Sequence, residues 1–262
     1  MTEAFSRRGL LLTGGSAAAV PARPASAQHG AQAGHGTALP ALGTVAGSAA
    51  AEPWLFFTED EASLVSAAVD RLIPPDTEFT GAVGAGVPTY IDRQLAGAYG
   101  SGARLYREGP WREGLPQQGY QLPHTPAELY RAGLAAFAAD ARRGYGRRFE
   151  ELAPRLQDEA LRRLEVGEAG FDELPSAVFF ETLLANTIEG FFADPIYGGN
   201  RDMVGWRMVG FPGGYAGYTE LVGRHGLRFD RPPNGIAQNL LQHAAGHGHG
   251  AHGGRGAPRE RN

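Results

Sequence analysis

The sequence predicts a mainly α fold: a single loop-rich helical domain between a low-complexity N-terminal linker and a low-complexity C-terminal tail. Three observations lead there. Apolar residues recur at steps of three and four along several segments, the spacing that gathers them on one helix face. Most of those segments open with a capping Thr or with Pro in the first turn. No run alternates with period two for long enough to propose a sheet, and no internal repeat is visible.

In chain order, residues 1–27 read as an address. Arg7 and Arg8 feed Leu10, Leu11 and Leu12, and the apolar stretch ends near Val20. At about 1.5 Å per residue it reaches roughly 16 Å against a hydrocarbon core of about 30 Å, so it is too short for a transmembrane anchor. Ala25-Ser26-Ala27 is a small-residue cleavage site, placing the cut after Ala27. The paired arginines resemble the twin-arginine export signal, and Arg23 ahead of the cut fits it, because a basic residue there discourages the route for unfolded chains. An ordinary secretory signal with adjacent arginines is the competing reading. Residues 28–52, mostly Ala, Gly, Gln and His, bury too little to offset ordering entropy and read as a flexible linker.

The helical domain is expected over residues 53–242. Thr58 and Glu61 form a capping box, followed by Leu64, Val65, Ala68, Val69 and Leu72 on one face, until Pro74-Pro75 stops the helix. A second helix with Pro88 in its first turn is expected over Tyr90 to Tyr99. Gly100 to Thr125 reads as a long loop, with Trp111 and Tyr120 as expected anchors against the core. Thr125-Pro126-Ala127-Glu128 starts a helix that should run to about Phe149, and Pro154 starts one through Leu164. Pro175 opens the most apolar segment, Ser176 to Phe192. There Glu181, Thr182, Asn186 and Glu189 share roughly 140° of arc opposite a Phe, Leu and Ile face, which makes it a central helix with one polar stripe. Residues 243–262 read as a disordered His/Gly-rich tail.

Composition removes several function classes. The 262 residues include no Cys, which excludes cysteine-ligated clusters, thiol nucleophiles and disulfides. All 24 basic residues are Arg, which excludes Schiff-base lysines and P-loop phosphate binding. A formal charge of -4 argues against nucleic acid as a partner.

Candidate chemistry is sparse. Glu181 and Glu189 share a helix face, but eight residues separate their Cα atoms by about 12 Å, wide for either glycosidase geometry. The competing reading is a solvated or hydrogen-bonded stripe. His243, His247, His249 and His252 are metal-binding candidates, although a Gly-rich tail supplies nothing to orient the rings. His124 and His225 stand alone, and neither G-x-S-x-G nor H-E-x-x-H occurs. No catalytic, cofactor-binding or metal-ligating residue is nominated.

Turn and aromatic residues are densest between Phe191 and Gly214. Asp194-Pro195 ends the helix, Gly198-Gly199-Asn200 can take positive φ, and Phe211-Pro212-Gly213 makes a second turn. Around Tyr197, Trp206 and Phe211 these turns build a rigid aromatic loop. It is read either as a partner interface or as a loop that packs its own aromatics.

The D-P-x-Y-G-G-N, G-W and G-F-P-G runs, Asp70-Arg71-Leu72-Ile73-Pro74 upstream and the twin-arginine start together resemble the gluconate 2-dehydrogenase subunit 3 family, over roughly residues 54–235. The resemblance implies the small subunit of a membrane-associated flavin dehydrogenase. Its partner would be a large FAD-dependent subunit of the glucose-methanol-choline type, often joined by a multihaem cytochrome c subunit. It further implies that this chain carries no cofactor, has no catalytic residues, and helps the flavoprotein mature and reach the periplasm. The competing functions are a stand-alone periplasmic carbohydrate-active enzyme using Glu181 and Glu189, and a metal-binding protein working through the histidine tail. The tail itself departs from the family pattern.

Overall fold

A computed structural model describes residues 53–112, 114–115, 120–214, 221–227 and 231–246. The chain divides into two units, residues 1–53 and 54–262, and every described helix belongs to the second. Arg7, Arg8, Ala27, the 28–52 linker and the tail beyond residue 246 lie outside the described residues.

The fold is mainly helical. Helix α1, Glu59–Leu72, begins at the expected capping box: the Glu61 N–H donates to the Thr58 hydroxyl, and the Thr58 N–H to the Glu61 carboxylate at 2.8 Å. Leu64, Val65, Ala68 and Val69 are buried.

Just before α1, the backbone is held by a buried acid. Asp92 of α2 (Val87–Ala96) accepts the N–H groups of Leu55, Phe56 and Phe57 at 2.8, 2.9 and 2.9 Å. Arg131 reinforces this corner. It donates to the Phe56 carbonyl, pairs with Glu61, and lies over the Phe56 ring at 3.9 Å.

Helix α2 stops at Ala96 rather than at the expected Tyr99. There the chain folds back on the helix end, and the Gly97 and Gly100 N–H groups both donate to the Gln94 carbonyl. A Cβ at Gly100 would lie 1.8 Å from the Leu95 carbonyl oxygen, so only glycine permits this return. The start of the following segment is anchored by backbone, with the Ala127 N–H donating to the Gly100 carbonyl. Trp111 and Tyr120 are not core anchors: each is 39% exposed, and the Tyr120 hydroxyl donates to the carbonyl of nearby His124.

Helix α3, Pro126–Tyr145, has the expected Thr125 and Glu128 capping box. It ends four residues before Phe149, because Gly146 takes a left-handed conformation. Phe149 instead starts a separate 3-10 turn, where its ring is fully buried against Phe137. Helix α4 spans Pro154–Glu165, and α5 spans Ser176–Phe192 as expected. Two further helices follow, α6 (Val204–Val209) and α7 (Ile236–Gly246). The last carries helical backbone through residues 243–246, which were expected to belong to the tail.

Helix α5 is the hub of the core. It packs against α1, α2, α3, α4 and α6, burying Phe179, Phe180, Leu183 and Phe191. Among the described residues no strand forms, apart from a single bridge between Gly213 and Asn234. No described helix is long and apolar enough to cross a membrane.

Candidate functional site

The site is built at the C-terminal end of α5. A helix end leaves its last carbonyls without intrahelical partners, and basic residues in the final turn commonly compensate. Here the last turn has no basic residue, and Ala193 leaves the helix extended. Two side chains from the following loop supply the missing donors. The Trp206 indole N–H donates to the Phe192 carbonyl at 2.7 Å, and the Asn200 amide donates to the Ala193 carbonyl at 2.8 Å. The Asn200 side-chain oxygen accepts the Gly205 N–H at 2.8 Å, so one fully buried residue ties the α5 exit to α6.

Asp194 plays the converse part, accepting N–H groups in two directions. One carboxylate oxygen accepts the Ile196 N–H at 3.1 Å and caps the 3-10 turn Pro195–Tyr197. The other accepts the Ile236 N–H at 2.8 Å, at the start of α7, where an acid complements the helix dipole.

Close backbone approach explains the glycines. A Cβ on Gly199 would sit 2.1 Å from the Gly190 carbonyl oxygen, and one on Gly213 would sit 2.2 Å from that of Asn234. Gly198 takes φ 98° as it closes the turn. Asn200, Asp202 and Met203 hold φ of 45°, 55° and 55°, an unusual concentration of left-handed non-glycine residues. The packing around Asn200 holds that strain in place.

The nine residues expected at an interface therefore divide by position. Asp194, Gly199, Asn200 and Gly213 form the framework with Gly198, and Trp206 is buried at 7% exposure. Tyr197 is 50% exposed and Phe211 46% exposed, with Pro212 half-buried beside Phe211. Phe211 stands edge-to-face on Trp206, centroids 5.2 Å apart at 84°, so the buried indole supports an exposed ring. Ile196 and Val209 add exposed apolar surface to the same loop.

The sequence places Asn186 and Glu189 on one polar stripe of α5, but the tyrosines that join them beside this loop are not evident from it. Asn186, buried on α5, accepts hydrogen bonds from the Tyr130 hydroxyl at 2.9 Å and from the Tyr99 hydroxyl at 3.2 Å. Its amide donates to Glu189 at 3.0 Å. Tyr90 packs against Gly190, where a Cβ would come within 2.7 Å of the ring. Burial, with Glu189, Tyr99 and Tyr197 nearby, pushes the Tyr90 hydroxyl up to about 12. Burial also raises Tyr99, and it raises fully buried Tyr130 well above the ordinary range. The available signal was Asn186 itself, a polar residue amid an apolar helix that had to find partners.

Other candidates come together less. Glu181 is exposed and takes no part in the cluster that holds Glu189. His124 lines an open cleft of about 380 Å³ with Ala127, Glu128, Arg131, Ala132 and Glu173, while His225 is exposed. His243 lies on α7, and His247, His249 and His252 fall outside the described residues. Among the described residues no group of three or more His, Asp or Glu could hold a metal ion.

Over residues 59–213 the chain matches the family described as gluconate 2-dehydrogenase subunit 3. It belongs to that family. The matched span starts at the first residue of α1 and ends on Gly213, so it takes in α1 through α6 and the whole loop just described. No curated protein and no solved structure matches the chain. Membership in the gluconate 2-dehydrogenase subunit 3 family makes this chain a subunit of a dehydrogenase complex.

Proposed function

We propose that this member of the gluconate 2-dehydrogenase subunit 3 family is the non-catalytic small subunit of a periplasmic FAD-dependent sugar or polyol dehydrogenase. Its large subunit, of the glucose-methanol-choline type, carries the flavin and the catalytic groups. A cytochrome c subunit accepts the electrons where one is present. The small subunit binds the folded flavoprotein, stabilises it by that binding, and takes it out on the twin-arginine signal that holds Arg7 and Arg8, with cleavage after Ala27.

The observation that carries this reading is the division of labour in the family-matched loop. Its polar and glycine residues are consumed in fixing the backbone, while Tyr197 and Phe211 stay exposed on a rigid mount. Aromatic rings ordered in advance lose little entropy on association, as suits interface anchors. For hydrolysis by Glu181 and Glu189 there is no comparable support, since Glu189 is held by Asn186 in a cluster that Glu181 does not join.

Co-expression with the flavoprotein tests the export role. Dehydrogenase activity should appear in the periplasm with the native chain, and remain cytoplasmic when Arg7 and Arg8 are both changed to Lys. Periplasmic activity with the double variant, or without the chain, would refute it.

A further inference from the structure

Glu189 stands in a setting that helix electrostatics disfavours. It lies near the C-terminal end of α5, where the dipole is negative and cations are favoured, and the last turn supplies no basic residue. Its carboxylate is exposed and accepts from the Asn186 amide, yet among the described residues it forms no ion pair. Two arginines have contacts of their own. Arg201 donates to the Thr89 hydroxyl at 3.1 Å, and Arg93 lies against Gly198.

The carboxylate is nevertheless held in place. Asn186 grips one of its oxygens, and two tyrosine hydroxyls fix Asn186 in turn. Beside it stand Tyr99, partly exposed and bonded to Asn186, and Tyr90, packed on the adjacent Gly190. An oriented carboxylate among tyrosine rings suits a planar cation, which can bond the carboxylate by its N–H groups and lay its face on a ring.

We infer that Glu189, with Tyr90 and Tyr99 beside it, receives an arginine side chain of the flavoprotein subunit when the two chains associate. This rests on the docking reading above and names one contact within it. The arginine supplies a positive charge that the last turn of α5 does not itself carry. Because Asn186, Tyr99 and Tyr130 already hold the carboxylate, little ordering cost remains at binding.

The test uses the purified small and large subunits and measures their dissociation constant across a salt series. Glu189→Gln keeps the bond to Asn186 and removes only the charge. It should weaken association about tenfold and flatten the salt dependence, while Glu189→Arg should weaken it about a hundredfold. Glu181→Gln, on the same helix, should change nothing, and melting midpoints verify that each variant is folded. An affinity for Glu189→Gln within about twofold of the parent, with unchanged salt dependence, would overturn the inference. The paired change Tyr197→Ala with Phe211→Ala separates the two readings. If it abolishes association while Glu189→Gln does not, docking through the loop stands and the arginine contact falls. If neither weakens association, both fall.

Discussion

The Trp206 indole donates to the Phe192 carbonyl at 2.7 Å, closing the end of α5 with a side chain from 14 positions further along the chain. The same indole supports the exposed Phe211 ring. Stability and presentation thus meet in one residue, and mutation should separate them. Trp206→Ala removes a buried ring and uncaps a carbonyl, and should cost about 3–5 kcal/mol in denaturant unfolding. Phe211→Ala should cost no more than about 1 kcal/mol, since it loses one edge contact, yet weaken association with the flavoprotein.

Glycine positions in the loop should respond differently according to what each must avoid. Gly199 faces the Gly190 carbonyl oxygen 2.1 Å from where a Cβ would lie, whereas Gly210 has φ 70° and no heavy atom within 4 Å of that point. Gly199→Ala should therefore cost more than about 3 kcal/mol through backbone displacement. Gly210→Ala should cost about 1–2 kcal/mol from its left-handed conformation alone. Urea unfolding of the two variants compares them directly, and equal losses would contradict the packing described.

Asp92 accepts the N–H groups of Leu55, Phe56 and Phe57, so it secures the chain just ahead of α1. Asp92→Asn places an amide donor among those donors and should cost about 1–3 kcal/mol. Amide hydrogen exchange should show the Leu55 to Phe57 protons losing protection first. Unchanged protection there would mean the clamp is not what holds the segment.

Acid should loosen the same corner. Burial raises the Glu61 carboxyl, but hydrogen bonds from Arg131 and Thr58 outweigh it and hold the group below its ordinary 4.5. A folded-state value lower than the unfolded one means that the stability is present above pH 4.5 and is lost as pH falls through the folded value. Glu61→Gln should therefore show a smaller drop in urea midpoint between neutral pH and about pH 3 than the parent. An equal drop in both would assign acid sensitivity to other carboxylates.

The parts of the fold legible in sequence were those set by local chemistry. Both capping boxes, Thr58 with Glu61 and Thr125 with Glu128, lie within four residues, and the Pro175 start of α5 needs only its neighbours. What escaped was set by distant packing. α2 ends early because Gly100 folds against Leu95, and Phe149 leaves α3 to pack on Phe137. Trp111 and Tyr120 are large aromatics, but size alone could not say that both would stay at the surface.

The candidate site divides the same way. Its turn residues stood out by composition, whereas their purpose depended on which backbone each meets, Gly199 on Gly190 and Gly213 on Asn234. Asn186 draws its partners from 87 and 56 positions away in Tyr99 and Tyr130, beyond the reach of any periodicity.

Purification through this chain after co-expression with the flavoprotein, reading flavin absorbance and subunit ratio, tests directly whether the two associate and which of them holds the flavin. The expected result is an equimolar complex with one FAD per pair, all of it on the large subunit once the pair is separated. FAD retained by the isolated small chain, or failure of the flavoprotein to co-purify with it, would mean that this chain is not the flavoprotein's cofactor-free partner.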